Sequence, residues 1–412
     1  MSQCPFSNLL DPDTYANGMP YEELRRINRE GGPVVKIEDP ITGIPYWAIT
    51  GQEEMDFISK KAKIFSSRER LAFPMEMDDG LIEVQRNTII NMDPPLHQKL
   101  RRLTRNAFTP SAVDAYIPLF QEHARRIIDA VVERGECEFV EEVAAELPLF
   151  AILDLLGVPT EDRKQFFDWT NTMIFADDPE MSIGEDEGQL AAIMVIDYAM
   201  KLAAKYRENP KGTVLGALLE GEFDGRPLND EEFGWMFVLI LVGGNESTRT
   251  VIAQGMRLLM EHPDQLQYLV DNPDKIENAC EEILRYNTAF ISMRRTAMED
   301  VEVGGQLIKK GDKVLLHYHA TNLDEKVFGD DAMEFDVKRQ ERMPDLYNQH
   351  RSFGIGQHFC LGSHMARLEL VTMFKEIIPR LKNPQFAGDV KYVRSYFVNA
   401  VREMPITFDP SV

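Results

Sequence analysis

A single cysteine in the last quarter of the chain stands in an unusual setting. The stretch FGIGQHFCLG surrounds it with glycines, a histidine and phenylalanines, in a chain that has only four cysteines. Glycines allow backbone to approach a bulky planar group and allow N–H groups to point at a sulfur atom. The cysteine also precedes a predicted helix, whose N-terminal dipole favours a thiolate. The pattern F-x-x-G-x-H-x-C-x-G therefore indicates a functional thiolate, with fixed positions Phe353, Gly356, His358, Cys360 and Gly362.

Three other interpretations of this cysteine stay open on the residues alone. An isolated cysteine is often a small buried apolar side chain. A cysteine nucleophile with a nearby histidine base is a second alternative. Zinc binding is a third, although no paired loop with suitable spacing accompanies the cluster. The zinc candidates are His350, His358, Cys360 and His364.

Two further groups of charged residues have helical spacing. The segment EEILRY sets Glu282 and Arg285 three residues apart, so that they can pair on one helix face, although other pairs in the chain share this spacing. In residues 91–110, His97 and Arg101 fall on one face at i and i+4. Such a basic face either holds an anion or is simply solvated.

A long helix predicted over residues 230–261 contains a polar interruption. Its apolar sequence is broken at 243–248 by GGNEST, in which each glycine costs the helix ~1 kcal/mol. A carboxylate and a hydroxyl, here Glu246 and Ser247, can relay protons together with water. The alternative is a polar stripe that only contacts solvent.

The elements that position these residues are mostly helical. The apolar periodicity predicts a mainly α protein with a smaller β portion. Residues 66–92 lack a clean period and are long for a connection, so they are predicted to cover a binding site or to form an ordinary surface excursion. Helices are predicted at 21–29, 95–107, 113–133, 141–156, 160–176, 187–207, 230–261, 273–286 and 363–382, and strands at 33–37, 44–49, 301–309, 312–317 and within 391–408.

Composition excludes several classes of protein. The chain has 412 residues, 44% of them hydrophobic, which supports a large core. Its formal charge of −23 disfavours nucleic acid and anionic membranes as partners. The longest apolar run, 233–244, is shorter than the roughly 20 residues of a membrane span. With no signal or transit pattern at the start and four widely spaced cysteines, the sequence predicts a soluble, cytoplasmic protein without a disulfide framework.

Taken together, these motifs resemble those of the cytochrome P450 monooxygenases, in the same order and over essentially the whole chain. The resemblance implies a single cytochrome P450 domain over 1–412, with haem b (iron protoporphyrin IX) between the long central helix and the cysteine loop. Cys360 matches the proximal thiolate ligand of the iron, which favours O–O cleavage. By the same resemblance Phe353 shields the sulfur, and the propionates are held by His97, Arg101, Arg295 and His358. Glu282 and Arg285 match the structural E-x-x-R pair, and Gly356 and Gly362 belong to the cysteine loop.

The GGNEST segment is similar to the oxygen-activation motif of that family. Glu246 matches its acid and Ser247 its alcohol, while Gly243 and Gly244 would open a groove for O₂. Serine stands where threonine is usual. It keeps the hydroxyl but lacks the methyl group that fixes the rotamer, which puts the tight coupling of oxygen use to product in question.

The resemblance also implies partners. The soluble bacterial members take electrons from a ferredoxin-type partner with an NAD(P)H-dependent reductase. An acidic ferredoxin needs a local positive patch on this negative protein. Lys99, Arg102 and Arg105 are the candidates, with a solvated helix face as the alternative.

The implied activity is hydroxylation of a hydrophobic small molecule, namely a terpenoid, a steroid or an alkyl chain. The matching pocket positions are almost wholly apolar, which favours a neutral substrate. An H₂O₂-driven peroxygenase and a non-catalytic haem sensor are the alternatives, and the acid–alcohol pair counts against both. The pocket positions are Leu71, Phe73, Met75, Leu239, Val242, Gly243, Phe290, Ile291, Phe397 and Val398.

Overall fold

The computed structural model describes residues 5–174, 187–208 and 214–411. Helices form most of the molecule and a smaller β portion lies beside them, so the predicted fold class is confirmed. The helices that matter below are bounded as follows: α1 (Tyr21–Arg26), α2 (Gln52–Lys60), α3 (Asp79–Gln85), α4 (Leu96–Thr104), α5 (Pro110–Asp114), α6 (Ile117–Val132), α7 (Glu146–Leu156), α8 (Arg163–Ile174), α9 (Glu187–Glu208), α10 (Val214–Glu220), α11 (Asp230–Glu261), α12 (Pro263–Asp271), α13 (Ile276–Tyr286), α14 (Tyr318–Asn322), α15 (Glu325–Phe328), α16 (Arg339–Arg342), α17 (Leu346–Gln349) and α18 (Ser363–Arg380).

The largest described sheet has five strands in the order β1-β2-β8-β5-β3. Only the β2–β8 pair in it is parallel, and every residue of β2 is buried. A three-stranded sheet has the order β4-β12-β9, and two hairpin pairs join β6 to β7 and β10 to β11. The strands are β1 (Val34–Ile37), β2 (Tyr46–Ile49), β3 (Phe65–Ser66), β4 (Glu136–Glu138), β5 (Ser292–Ala297), β6 (Val301–Val303), β7 (Gln306–Ile308), β8 (Lys313–His317), β9 (Lys382–Phe386), β10 (Lys391–Tyr392), β11 (Val401–Glu403) and β12 (Pro405–Asp409).

The central helix α11 has the predicted bounds. A capping box starts it, in which the Asn229 side chain accepts the Glu232 N–H at 2.8 Å and the Glu232 carboxylate accepts the Asn229 N–H at 2.9 Å. Its 32 residues extend for about 48 Å. The helix continues through 243–248, where only the apolar pattern is interrupted. Buried packing along α11 outweighs the small cost of two glycines.

The hydrophobic core forms around that helix. The largest cluster of buried apolar residues packs α6, α7, α9, α11, α13 and α18 together. A second cluster joins the five-stranded sheet to α2, through residues such as Met55 and Leu316. Because helices from distant parts of the chain share one core, the segments that carry the motifs are brought to a common centre.

Several predicted elements are divided in the structure. The helix expected over 113–133 is interrupted between α5 and α6, and the strand expected over 301–309 is a hairpin turned by Gly304 and Gly305, with φ of +55° and +75°. The segment expected over 391–408 contains three short strands and a loop at 393–400. The last two residues of the helix predicted over 160–176 lie outside the described residues. Sequence reasoning missed α2, α3, α10, α12, β3, β4, β5 and β9, along with the short helices α14 to α17.

No helix in the described part of the chain is both long enough and apolar enough to cross a membrane.

Candidate active site

A cavity of about 1170 Å³ lies between the central helix and the cysteine loop. Cys360 and Phe353 line it on the loop side, and Gly243 and Ser247 line it on the α11 side. The segment 73–90 and the loop at 393–400 contribute further parts of the wall. The long connection predicted to cover a binding site therefore does so.

Backbone geometry fixes the cysteine loop. The Cys360 N–H donates to the Phe353 carbonyl at 2.8 Å, which folds the loop back on itself. Gly356 has φ +74°, and a Cβ there would lie 2.7 Å from the Ser59 carbonyl oxygen at the end of α2. Only glycine fits that contact. Gly356 does not line the cavity, so its contribution is to the shape of the loop.

The environment of the Cys360 thiol differs from the sequence expectation. Burial raises its pKa above the ordinary value, and the Gly362 N–H and the Arg101 and Arg367 charges lower it only in part. Desolvation of the sulfur therefore opposes the effect of these neighbours. Coordination to a metal ion deprotonates such a thiol outright.

Two arginines and two histidines meet beside the loop. The rings of His97 and His358 lie with centroids 4.3 Å apart, and burial lowers the pKa of His97 to about 4. Arg101 donates to the Phe359 carbonyl at 2.6 Å, and Arg295 donates only to the Arg294 carbonyl, at 2.7 Å. Within the described residues none of the four forms an ion pair with a carboxylate. The cluster is therefore electrostatically unbalanced.

These residues fit a planar metal cofactor that carries carboxylates. The buried Nδ1 of His97 has no hydrogen-bond partner, which is the orphaned atom that a carboxylate would satisfy. A Cβ built on Gly243 or on Gly362 would meet no atom within 4 Å, so these walls leave room for a flat ligand. Cys360 supplies a sulfur ligand in the same cavity.

The α11 side of the cavity presents a hydroxyl. Ser247 lines the cavity and its Oγ donates to the Gly243 carbonyl at 2.7 Å. Gly244 also lines the cavity. Ile152 of α7 fills the space that a side chain at this position would need, since a Cβ on Gly244 would lie 2.6 Å from Ile152 Cδ1. The expected open groove is therefore present only at Gly243. Gly244 instead allows α7 to pack closely against α11.

Glu246, the expected acid, does not line the cavity. Its carboxylate is fully buried and forms an ion pair with Arg249, and Thr250 donates to its Oε1 at 3.3 Å. Arg249 in turn donates to Asn171 of α8 at 2.8 Å. Burial raises the pKa of Glu246 above its ordinary value in spite of Arg249. The acid therefore lies one helical face away from the cavity.

Most of the predicted pocket residues line the cavity. Leu71, Ile291 and Val398 do not, because they are buried behind the wall. Those that do are Phe73, Met75, Leu239, Val242, Gly243, Phe290 and Phe397.

Sequence reasoning missed two carboxyl groups of the wall. Glu76 lies in residues 66–92, which we call the cover segment. Its Oε1 accepts from Arg294 at 2.8 Å and from Lys313 at 2.9 Å, and both of these residues are buried. Glu369 of α18 is also buried on the wall, and its Oε2 has no partner. Desolvation raises the pKa of Glu369 well above the ordinary value. The available signal for Glu369 was an acidic residue between two leucines, Leu368 and Leu370.

Behind the cysteine loop, Glu282 and Arg285 form a completely buried ion pair with two bonds of 2.7 and 2.8 Å. Arg285 also donates to the carbonyls of Asn322 and Ala332, each at 2.8 Å. Arg339 of the FDVKR segment adds a second cation, 3.1 Å from Glu282. This network joins α13 to the segment that precedes the loop.

The zinc interpretation finds no support in the geometry. Among the described residues no three His, Cys, Asp or Glu side chains are grouped as a metal site. His350 contacts Glu281 at 2.9 Å, and His358 contacts Ser67 at 3.2 Å. The cysteines Cys137, Cys280 and Cys360 are free thiols, and Cys4 lies outside the described residues.

A helical fold whose central helix faces a cysteine loop across a cofactor-sized cavity defines the class of haem-thiolate proteins. A family model described as Cytochrome P450 matches residues 188–383. The chain is 38% identical to a steroid C26-monooxygenase of Rhodococcus jostii, over 97% of this chain and 84% of that protein. It is 30% identical to a linalool 8-monooxygenase of Pseudomonas putida, over 98% and 99% of the two chains.

A solved structure leads to the same conclusion. A cytochrome P450 of Mycobacterium marinum in complex with pseudoionone superposes with a TM-score of 0.88, at 31% identity and with 99% and 100% of the two chains covered. The chain belongs to the cytochrome P450 family and is a monooxygenase with a haem-thiolate cofactor. An enzyme of this kind acts on a hydrophobic substrate and receives electrons from redox partners.

Proposed function

We propose that this protein, as one catalytic domain, hydroxylates an alkyl or isoprenoid chain of a neutral hydrophobic molecule, a steroid side chain or a terpenoid. The observation that carries the proposal is the apolar cavity wall, to which Leu239, Val242, Phe290 and Phe397 contribute. The buried charges of the segment that covers the cavity are paired with one another, since Glu76 accepts from both Arg294 and Lys313. The steroid and linalool monooxygenases named above give the same substrate class.

The proposed cofactor is haem b. Its two propionates would balance the positive charge of Arg101 and Arg295, and one would accept a hydrogen bond from the Nδ1–H of His97. Cys360 would ligate the iron, with Phe353 beside it, and Gly243 and Gly362 would leave space for the ring. When bound, this group supplies the iron that activates O₂.

The proposed proton route uses Ser247 first. Ser247 lines the cavity, and once its hydroxyl leaves the Gly243 carbonyl it would be able to pass a proton to a water molecule there and be resupplied by water. Glu246 would supply the next proton, since burial raises the pKa of its carboxyl group. For Glu246 to reach Ser247, its carboxyl group must leave Arg249. The ion pair with Arg249 therefore controls when the proton of Glu246 is available.

The proposed electron donor is a ferredoxin with an NAD(P)H-dependent reductase, which assigns the reaction to the cytoplasm. Arg102 and Arg105 are exposed on or just after α4, whereas Lys99 is paired with Asp224. Phe359, adjacent to Cys360, is 38% exposed and offers an apolar contact near them. An acidic partner would therefore approach the cysteine loop from this side.

The first test uses the purified, haem-loaded protein. A red-shifted Soret band is expected in the reduced, CO-bound form, which is the signature of a thiolate ligand. Linalool and cholesterol, a steroid with an alkyl side chain, are then titrated while the spin state of the iron is followed, with palmitic acid as the charged comparison. We expect the neutral compounds to shift the spin state more strongly than the acid, because Arg294 and Lys313 are paired with Glu76 and the bound propionates would occupy Arg101 and Arg295.

Turnover distinguishes the alternatives. With a ferredoxin and reductase we expect hydroxylated product, identified by mass spectrometry, and little product with H₂O₂ alone. Product from H₂O₂ at the same rate would instead identify a peroxygenase, and no product under either condition would favour a sensor. Preferential binding of palmitic acid would refute the neutral substrate class while leaving the monooxygenase class intact.

A further inference from the structure

The loop of residues 393–400, between β10 and β11, has two unlike ends. Its tip carries Tyr396 and Phe397 into the cavity wall. Its base carries Asn399, which is 5% exposed and does not line the cavity. We call this segment the C-terminal loop.

Asn399 uses all of its hydrogen-bonding groups. Its Nδ2 donates to Asn287 Oδ1 at 2.9 Å and to His319 Nε2 at 3.0 Å, and its Oδ1 accepts from Gln254 Nε2 at 3.1 Å. Its backbone N–H donates to the Ala289 carbonyl at 2.9 Å, and its own carbonyl accepts from Gln254 Nε2 at 2.9 Å. Because every polar group of Asn399 has a partner, these hydrogen bonds hold the base of the C-terminal loop in one position.

The partners of Asn399 come from rigid and widely separated elements. Gln254 belongs to the central helix α11, Asn287 follows α13 and His319 lies in α14. All three are 1% exposed or less. Tyr21 of α1 extends the network by donating to Asn287 Oδ1 at 2.8 Å. The base of the C-terminal loop is thus anchored to the part of the molecule least able to move.

The chemistry of the site selects an amide at position 399. Desolvation lowers the pKa of His319 well below its ordinary value. Because the Nδ2 of Asn399 can only donate, the His319 Nε2 beside it accepts. Asn287 Oδ1 also accepts. A side chain facing both must donate twice on one side and accept from Gln254 on the other, which a carboxamide does and a carboxylate does not.

The tip of the C-terminal loop is held by contacts with residues 290–291 and forms part of the cavity wall. The Ile291 N–H donates to the Phe397 carbonyl at 2.8 Å, and Phe290 is bridged to Val398. The Phe397 ring lies 5.1 Å from the Phe290 ring and 5.7 Å, edge to face, from the Phe73 ring. Three phenylalanines from three distant segments therefore form one aromatic wall, and Phe397 is its central member.

We propose that Asn399 is a positioning residue for substrate selection, which holds Phe397 against Phe73 and Phe290 by fixing the base of the C-terminal loop to α11 and α13. It touches neither cofactor nor substrate and acts through Phe397. Loss of its amide leaves the tip attached to 289–291 but frees it to shift within the wall. Large ligands that fill the cavity then lose a defined surface, whereas small ligands are unaffected.

The test compares two iron-binding imidazoles of different size on the haem-loaded protein. Imidazole is too small to fill the cavity, and clotrimazole, an imidazole with three aryl rings, is large enough to reach its walls. For Asn399→Ala we expect clotrimazole to bind about tenfold more weakly, a change of about 1.4 kcal/mol. Imidazole should bind within about twofold of the unmodified protein. Asn399→Ser is the milder variant if the alanine variant does not fold.

The matched control is Tyr21→Phe, which removes a buried hydrogen bond from the same network but not from the loop. We expect it to lower the melting temperature without changing the affinity for either imidazole. Phe397→Ala should reproduce the selective loss for clotrimazole, and the double variant should bind no more weakly than Phe397→Ala alone. Equal losses in the Tyr21 and Asn399 variants, additive losses in the double variant, or unchanged clotrimazole binding would each overturn the proposal. None of these measurements depends on which substrate the enzyme oxidises.

Discussion

The two sides of the cavity are built in different ways. The thiolate side consists of one continuous stretch, 353–362, supported by the buried Glu282–Arg285 pair. The substrate side is assembled from the cover segment, α11, residues 289–293 and the C-terminal loop, which are far apart in the chain. Local geometry therefore holds the reactive sulfur, and long-range contacts hold the walls. This division lets the walls differ between related enzymes without disturbing the cofactor side.

The largest effect is expected on the thiolate side. Cys360→Ser should abolish the red-shifted CO band, because no other described cysteine lines the cavity. The absorption spectrum of the reduced, CO-bound protein measures this. Cys137→Ala, which changes a buried cysteine in β4, should keep the band. A band that survives in Cys360→Ser would mean that another group ligates the iron.

The support behind the loop can be broken separately. Arg285→Ala leaves Glu282 completely buried with only Arg339 as a cation, and should lower the free energy of unfolding by about 3–5 kcal/mol. Urea denaturation followed by circular dichroism gives the value. Arg342→Ala removes a 45% exposed ion-pairing arginine nearby and should cost about 1 kcal/mol or less. Similar losses in both variants would contradict the distinction between the buried and the exposed pair.

On the α11 side, the effect should be catalytic. Glu246→Gln keeps the shape of the side chain but removes a titratable proton, so turnover should fall about 10²-fold while ligand binding is retained. Steady-state rates and spin-state titrations separate the two quantities. Ser247→Thr, which restores the usual family residue, should raise the yield of product per O₂ consumed. Unchanged turnover in Glu246→Gln would remove this residue from the proton route.

The closed position of the cover segment should depend on the ion pairs of Glu76. Glu76→Gln leaves Arg294 and Lys313 buried without their carboxylate, so the segment should open more often and clotrimazole should bind about fivefold more weakly. Glu83→Gln makes the same change of charge in α3, at a 71% exposed side chain paired only with Arg86, and should have no effect on binding. Equal effects of the two substitutions would indicate that only net charge matters.

The smallest effect concerns Glu369 and pH. Burial raises its pKa in the folded protein well above that of the unfolded chain, so the folded state binds the extra proton. Its contribution to stability is therefore present at low pH and is lost as pH rises above about 4.5, by at most about 1.4 kcal/mol per pH unit. Glu369→Gln should flatten this decline between neutral and acidic pH, as measured by urea denaturation at several pH values. A slope identical to that of the unmodified protein would show that the raised pKa is absent.

Particular residues show which features of the fold and the site could be predicted from the sequence. The helix over Asp230–Glu261 follows from its cap and its apolar pattern, and the cysteine loop follows from its glycines. The ion pair between Glu246 and Arg249 spans only three residues, yet whether Glu246 faces the cavity depends on how α11 is rotated against α7 and α8. For residues 66–92 the sequence left a cover and a surface excursion as alternatives, and the role of Glu76 depends on partners more than 200 positions away in β5 and β8.

The sequence by itself determined the family, the cysteine that is proposed as the sulfur ligand and the course of the central helix, because each depends on residue types at short and fixed spacing. Only the tertiary structure decided which apolar residues form the wall, that Leu71, Ile291 and Val398 lie behind it, and that Asn399 anchors the C-terminal loop. These properties depend on packing between segments that are distant in the chain, and a residue's own neighbours in sequence carry no information about which distant surface will desolvate it.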